Sequence, residues 1–247
     1  MRALIDADTL CYAAAAMAEG LGVGIGRYNV DQMHEKLLRD LDVSDHTFYV
    51  TGDSNFRYAI YPEYKANRLK TARPEHLAAC KDHLMMKYVA ICSDGCEADD
   101  LLGVEQCRAN AAGEETMIST IDKDLDMIPG WHYSPEIRRK GVIVRPWRKY
   151  FVEPYEADRF FFKQLITGDS TDNIKGIPGV GKDSQQVQEL MTCNSYDEME
   201  ELVRRFYDCD EQMLMNGQVL WIWRKPNDVW QLKSGHPLGI MPSLSAS

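Results

Sequence analysis

Long apolar runs are missing from this 247-residue chain: nothing approaches the roughly 20 consecutive apolar residues of a membrane-spanning helix, and no membrane partner is expected. The start lacks a secretion signal as well, since Met1, Arg2 and Ala3-Leu4-Ile5 run straight into Asp6. The protein is therefore expected to remain in the cytoplasm where it is made. Paired cysteines are absent too. Cys11, Cys80, Cys92, Cys96, Cys107, Cys193 and Cys209 are odd in number, scattered and never two residues apart, which argues against a disulfide framework and a thiolate zinc site. Cys92 and Cys96 have neither a second pair nor a nearby histidine, so reduced thiols are the simplest reading. Positive charge is short: 28 Lys and Arg stand against 38 Asp and Glu, for a formal net charge of −10. A general polyanion binder would have the opposite balance. What remains is 45% hydrophobic and 27% charged residues, an ordinary soluble composition for one domain or a main domain with a small appendage.

The charge is unevenly spread. Between Arg57 and Arg73 the cations Arg57, Lys65, Arg68, Lys70 and Arg73 face one anion, Glu63, while acids gather in short motifs elsewhere. Such a separation can steer a charged partner in spite of the net sign. Hydrophobic patterning predicts strands at Ala3–Ile5, Thr47–Val50 and Met117–Ile121, and more between Trp131 and Val144 around a basic turn at Arg138, Arg139, Lys140 and Gly141. It predicts helices over Thr9–Met17, Val30–Asp42, Pro74–Tyr88 and Asp99–Ala111, with Gly20–Gly26 breaking the first from the second. After Pro154 helices take over until Trp221, and the Ser-, Gly- and Pro-rich tail Ser234–Ser247 is expected to be poorly ordered at its end. No internal repeat is present. Strands alternating with helices imply an α/β fold: a mostly parallel central sheet flanked by helices.

Acids follow the predicted strands closely: Asp6 after Ile5, Asp53 after Val50, Asp122 and Asp124 after Ile121. In an open parallel sheet the carboxyl ends of the strands share one edge, where ligand sites form. Two further motifs, Glu97-Ala98-Asp99-Asp100 and Gly168-Asp169-Ser170-Thr171-Asp172-Asn173, place acids three apart, a spacing that on a helix puts Glu97 with Asp100 and Asp169 with Asp172 on one face. A single such Asp is ordinarily a helix cap or turn former, and Asp8, Asp94 and Asp126 are read that way. A converging set is different, because crowded like charges repel by several kcal/mol and divalent cations relieve them. Magnesium prefers such hard oxygen ligands, and a pair of ions can carry phosphodiester hydrolysis.

The segments Ile5-Asp6, Gly52-Asp53 with Phe56-Arg57, Tyr64-Lys65-Ala66-Asn67-Arg68, Glu97 to Asp100, Ser119 to Asp124 and Gly168 to Lys182 occur in an order that resembles the 5′-nuclease superfamily. That family includes the nuclease domain of bacterial DNA polymerase I, the flap endonucleases and, most similar here, the small 5′ to 3′ exonucleases of phages. The resemblance implies a PIN-like nuclease core over residues 1–153 with a short basic arch. Residues 154–247 would form a helical DNA-binding region with a helix-three-turn-helix element. It implies a monomeric, structure-dependent 5′ to 3′ exonuclease or flap endonuclease acting on DNA with a 5′ end or 5′ flap, and leaves open RNA–DNA hybrids. Two Mg²⁺, replaceable by Mn²⁺, would be held by Asp6, Asp53, Glu97, Asp99, Asp100, Asp122, Asp124, Asp169 and Asp172. The catalytic group would be Lys65, Arg68, Asp122 and Asp124; DNA would meet Arg57, Tyr64, Lys65, Arg68, Gly176, Gly179, Gly181 and Lys182. The glycine-rich hairpin would also bind K⁺ through carbonyls.

The residues support parts of this independently. Tyr64 and Arg68, four apart, would share a helical face and pair a stacking ring with a phosphate-binding guanidinium. Lys65 could stabilise charge on a scissile phosphate. Ile174 to Lys182 carries glycines that let backbone amides approach phosphate. The plainer readings are a packed ring for Tyr64, a solvated face for Lys65 and Arg68, and a hinge for the glycines. Few residues separate Asp53 from Glu97, so the arch is short, and the stretch after Lys182 is brief and acidic, which implies a small duplex footprint. Two other enzyme classes compete. Asp6-Ala7-Asp8-Thr9 fits the signature of haloacid-dehalogenase-type phosphatases, with Asp6 as nucleophile and Asp8 as general acid, but leaves Glu97–Asp100, the cations and the hairpin unused. A PIN-type ribonuclease would share fold and metals but ordinarily lacks the hairpin. A non-catalytic DNA-junction binder would not need the full acid set.

Overall fold

The computed structural model describes residues 1–233 apart from 44, 71 and 140, so the tail Ser234–Ser247 and Lys140 lie outside the described residues. Its strands are β1 (Arg2–Asp6), β2 (His46–Val50), β3 (Ala90–Cys92), β4 (Thr116–Ser119), β5 (Gly130–Ser134), β6 (Ile137–Arg139), β7 (Val142–Arg145), β8 (Arg148–Val152), β9 (Gly168–Asp169) and β10 (Ile174–Lys175). Six of them form one sheet in the order β3-β2-β1-β4-β5-β8. β1 to β5 run parallel, and β8 pairs antiparallel at the edge with β5. β6 and β7 make a separate hairpin where the basic turn was expected.

Helices α1 (Ala7–Ala16), α2 (Val23–Leu41) and α4 (Leu77–Lys87) cover one face, and α5 (Ala98–Ala111) and α6 (Pro154–Thr167) the other. Alternation along β1 shows why both faces need cover: Ala3 and Ile5 pack with Cys11, Phe48 and Leu84, whereas Leu4 packs with Leu102 and Ile118. All three β1 residues are buried. The short α3 (Arg57–Ile60) and the later helices α7 (Gln185–Leu190), α8 (Tyr196–Arg204) and α9 (Asp210–Leu220) complete the chain. Phe161, Phe162, Trp221, Trp223 and Trp230 join the same apolar cluster as Leu4 and Ile118, so the C-terminal helices are continuous with the sheet's core. Among the described residues no helix is long and apolar enough to cross a membrane.

Two local expectations are corrected. α2 begins at Val23, inside the glycine-rich stretch expected to interrupt it. Gly26 has a packing role within this first turn: a Cβ there would lie 3.0 Å from the Cys80 sulfur, so glycine lets α2 and α4 approach. The strands β3 and β8 were not anticipated, because β3 has three residues and β8 reads Arg-Lys-Tyr-Phe-Val, too charged at its start for a buried pattern. The helix expected from Pro74 starts only at Leu77.

Candidate active site

The chain fills the sheet in one direction from β1 to β2 and β3, then in the other through β4 and β5. The crevice at that reversal, beyond the carboxyl ends of β1 and β4, is where side chains of an open α/β sheet converge on a ligand. Asp6 ends β1 and caps α1, accepting from the Asp8 amide at 3.0 Å and from Thr120 Oγ1 at 2.8 Å. Asp122 follows β4 and caps the short 3-10 turn Lys123–Met127, accepting from the Asp124 amide at 2.9 Å. Asp124 accepts from Gln164 Nε2 of α6 at 2.6 Å.

From the other side come the start of α5, with Glu97 and Asp99, and the loop beyond α6, where Asp169 accepts from the Thr171 amide at 2.7 Å. Asp6, Glu97, Asp99, Asp122, Asp124, Asp169 and Asp172 all line one cavity of about 350 Å³, together with Asp8, Lys65 and Arg68. Asp169 and Asp172 meet there through the tight β9–β10 hairpin, which replaces the helical turn expected for them.

The crowding shows in the acidities. Burial, then Asp8 and Asp122 nearby, pushes Asp6 up to about 6. Burial and then Asp122 push Asp124 up to about 6. Asp99 is half-buried; its desolvation, then Asp6, Asp122 and Glu97 nearby, raises it well above the usual carboxylate range. Burial would also raise Glu97, but the cations Lys65 and Arg57 pull it below its ordinary value. Asp169 is lowered because the Thr171 amide and Lys123 outweigh burial. As the side chains stand, no group of three or more Asp, Glu, His or Cys among the described residues is arranged to hold a metal ion. Several of these carboxylates are engaged by the protein's own cations: Lys65 pairs with Glu97 and lies 3.6 Å from Asp172, Arg68 pairs with Asp172, and Lys123 lies 2.9 Å from Asp124.

Four of the expected site residues are held differently from the expectation: Asp53 and Asp100 do not line this cavity, and Arg57 and Tyr64 border it as packed side chains. Asp100 is wholly buried and holds the Arg57 guanidinium in a two-pronged pair, at 2.6 and 2.8 Å. Arg57 is 2% exposed and also donates to the carbonyls of Val219 at 2.9 Å and Trp221 at 2.7 Å. The pair ties α3 and α5 to the end of α9 and the segment after it. Tyr64 is 3% exposed and donates to Glu97 at 3.0 Å and Asp172 at 2.9 Å, so it is a packed ring that fixes two site acids, with no face open for stacking. Asp53 is exposed and lines a second cavity of about 780 Å³ with Arg73 and Lys81. Lys65 and Arg68 border both cavities.

The segment carrying those two cations is fastened to the Gly168–Asn173 loop. Lys65, at φ 57°, donates its amide to the Asp172 carbonyl at 2.9 Å, and Asn67 donates to the Ser170 carbonyl at 2.6 Å. Tyr64 precedes the 3-10 turn Ala66–Lys70, so the helical face expected for Tyr64 and Arg68 does not form. In the glycine loop, Gly176 is packed: a Cβ there would lie 2.3 Å from the Gly168 amide nitrogen, so its backbone seats the hairpin against the end of α6. Gly179, at φ 76°, and Gly181 face open space, and Lys182 is exposed.

Sequence reasoning set Asp8 aside as a cap and passed over Lys81, Lys123, Thr120 and Gln164. Asp8 lines both cavities, accepts from the Thr51 amide at 3.1 Å and lies 2.6 Å from Lys81 Nζ. Lys123, enclosed between Asp122 and Asp124, and Thr120, just after β4, carry a signal in their neighbours. Asp8, Lys81 and Gln164 depend on helices that cross the sheet edge.

Residues 2–128 match the family model of the 5′-3′ exonuclease N-terminal resolvase-like domain. DNA polymerase I of Thermus aquaticus is 31% identical over 195 residues, covering 72% of this chain and 22% of the polymerase. DNA polymerase I of Rhizobium leguminosarum is 34% identical over 134 residues, 51% of this chain and 13% of the polymerase. This chain thus spans about a fifth or less of such relatives. A T5 protein co-crystallised with metal ions shares the fold at TM-score 0.66 with 16% identity, covering 89% of both chains. The zinc-bound T5 5′-exonuclease does so at TM-score 0.62 with 17% identity and the same coverage. The chain belongs to the 5′-3′ exonuclease family, which does not favour the phosphatase alternative.

Proposed function

We propose that this member of the 5′-3′ exonuclease family hydrolyses DNA phosphodiesters inward from a 5′ end or at a 5′ flap, using divalent cations. The observation that carries the reading is one cavity at the β1–β4 edge lined by acids from four separate stretches of chain, with Lys65 and Arg68 on its border. The donor set fits a hard divalent cation: its lining acids offer carboxylate oxygens, the ligands Mg²⁺ prefers and Mn²⁺ accepts. Asp6, Glu97, Asp99, Asp122, Asp124, Asp169 and Asp172 are the residues that would hold two ions. When bound, such ions neutralise the crowded carboxylates and act as Lewis acids toward the scissile phosphate.

The protein's own groups do the rest. Thr120 and Gln164 orient Asp6 and Asp124 by direct hydrogen bonds. Lys65 and Arg68 bind the phosphate at the border of the two cavities, and Lys65 stabilises its developing charge. The larger cavity, with Arg73 and Lys81, receives the 5′ end. Gly179, Gly181 and Lys182 hold duplex backbone without reading sequence, and the same loop is where K⁺ would bind. In this reading the protein acts as a cytoplasmic monomer, with residues 1–153 as nuclease core and 154–247 as the DNA-gripping region. The solved T5 flap endonuclease product complex contains both DNA and metal ions, which supports the substrate and cofactor classes.

The test is incubation of 5′-labelled blunt, recessed and flapped duplexes, and an RNA–DNA hybrid, with Mg²⁺ or with chelator. Short 5′-phosphorylated products, formed only with the cation, are expected. Absence of cation-dependent cleavage on every substrate overturns the proposal.

A further inference from the structure

Three lysines reach the acidic cavity or its margin, and they are held differently. Lys65 is 16% exposed and its backbone is anchored to the Asp172 carbonyl. Lys81 reaches across from α4, donating to the Thr51 carbonyl at 3.1 Å as well as pairing with Asp8. Lys123 is 60% exposed, and its ammonium touches two site carboxylates, Asp124 at 2.9 Å and Asp169 at 3.6 Å. The aromatic ring of Phe160 lies 6.0 Å away, at the outer limit of a cation–π contact.

These two acids come from separate stretches of chain, Asp124 from the turn after β4 and Asp169 from the hairpin after α6, and their carboxyls also approach each other within hydrogen-bond reach. An ammonium between them offsets their repulsion, and with no other strong tether it can leave toward solvent at little cost. We propose that Lys123 is a built-in counter-ion: it bridges Asp124 and Asp169 in the cation-free protein and withdraws when a divalent cation enters. This rests on the metal-binding reading of the cavity. Lys123 therefore competes with the cation, trading some affinity for a site that stays assembled between turnovers.

The experiment is calorimetric titration of Mg²⁺, with Mn²⁺ as a second probe, into the DNA-free protein, alongside thermal melting with and without the cation. Lys123→Met is expected to bind the cation about two- to five-fold more tightly, the range an exposed ion pair commands. It is also expected to melt lower than wild type in chelator, with the two melting temperatures converging at saturating cation. Lys123→Arg should retain wild-type affinity, and Lys87→Met, remote from the cavity, should leave cation affinity unchanged. Unchanged or weaker cation binding by a folded Lys123→Met protein overturns the inference while leaving the metal reading intact. A wild-type protein that binds no cation overturns both.

Discussion

Asp31, between α2 and α4, is surrounded by donors: Tyr88 Oη at 2.6 Å, Lys87 Nζ at 2.8 Å and His83 Nε2 at 2.9 Å. Its partial burial is outweighed by the bonds from Lys87, Tyr88 and His83, which hold the carboxyl down at about 2. Asp6, at the carboxyl edge of β1, is buried and has Asp8 and Asp122 as neighbours, and for those reasons rises to about 6. The same residue type is stabilised as an anion in one place and penalised in the other. Asp31 joins two helices and its charge is balanced where it stands; the cavity leaves charge to be balanced from outside, as a site for cations and a polyanion must.

The sharpest way to break this comparison is to remove acids from the crowded side. Asp122→Ala and Asp172→Ala should each lower cleavage by more than about 100-fold while the protein remains folded in chelator. Two folded variants cleaving at near-native rates would defeat the site assignment.

Arg57–Asp100 is the opposite case, a buried pair in which every charge is met. Asp100→Ala is expected to cost about 3–5 kcal/mol of stability, because it strands Arg57 in the core. Chemical denaturation measures this, and a loss under about 1 kcal/mol would return Asp100 to the list of site acids.

Asp6 and Asp124 titrate near 6 when folded and near the ordinary 3.8 when unfolded, so between those values the native state keeps protons the unfolded chain has lost. Their contribution to stability is fully present below 3.8 and is lost as pH rises through 6. In chelator, this cavity contribution should therefore favour the native state more at about pH 5 than at about pH 7.5, and the Asp124→Asn variant should show a shallower decline. Saturating Mg²⁺ should offset the penalty at the higher pH. Parallel melting profiles for wild type and Asp124→Asn would contradict the assignment of the penalty to the cavity.

The smallest effect belongs to Asp31, whose depressed value gives a contribution present above 3.8 and lost as pH falls toward 2. Asp31→Asn should cost no more than about 1 kcal/mol at neutral pH, since the ion pair is partly exposed, and should leave cleavage unchanged. Loss of cleavage would mean that the α2–α4 joint is coupled to the site.

Much of the site was legible because acids at strand ends are a positional signal: once β1 and β4 are parallel neighbours, Asp6 and Asp122 must share an edge. Asp100, Arg57 and Tyr64 are held by partners that no local pattern reveals. Asp100 and Arg57 are occupied by each other and by backbone groups of Val219, Trp221 and Trp223, far along the chain. Tyr64 is claimed by Glu97 and Asp172, which meet only in the folded molecule.

Sequence by itself determined the parallel sheet, through short apolar strands alternating with helices, and the chemistry of its edge, through acids placed where strands end. Tertiary structure alone decided which acids remain available and which are neutralised. The reason is physical: a carboxylate's state depends on burial and on charges within a few ångströms, and those neighbours are supplied by segments that sequence order keeps apart.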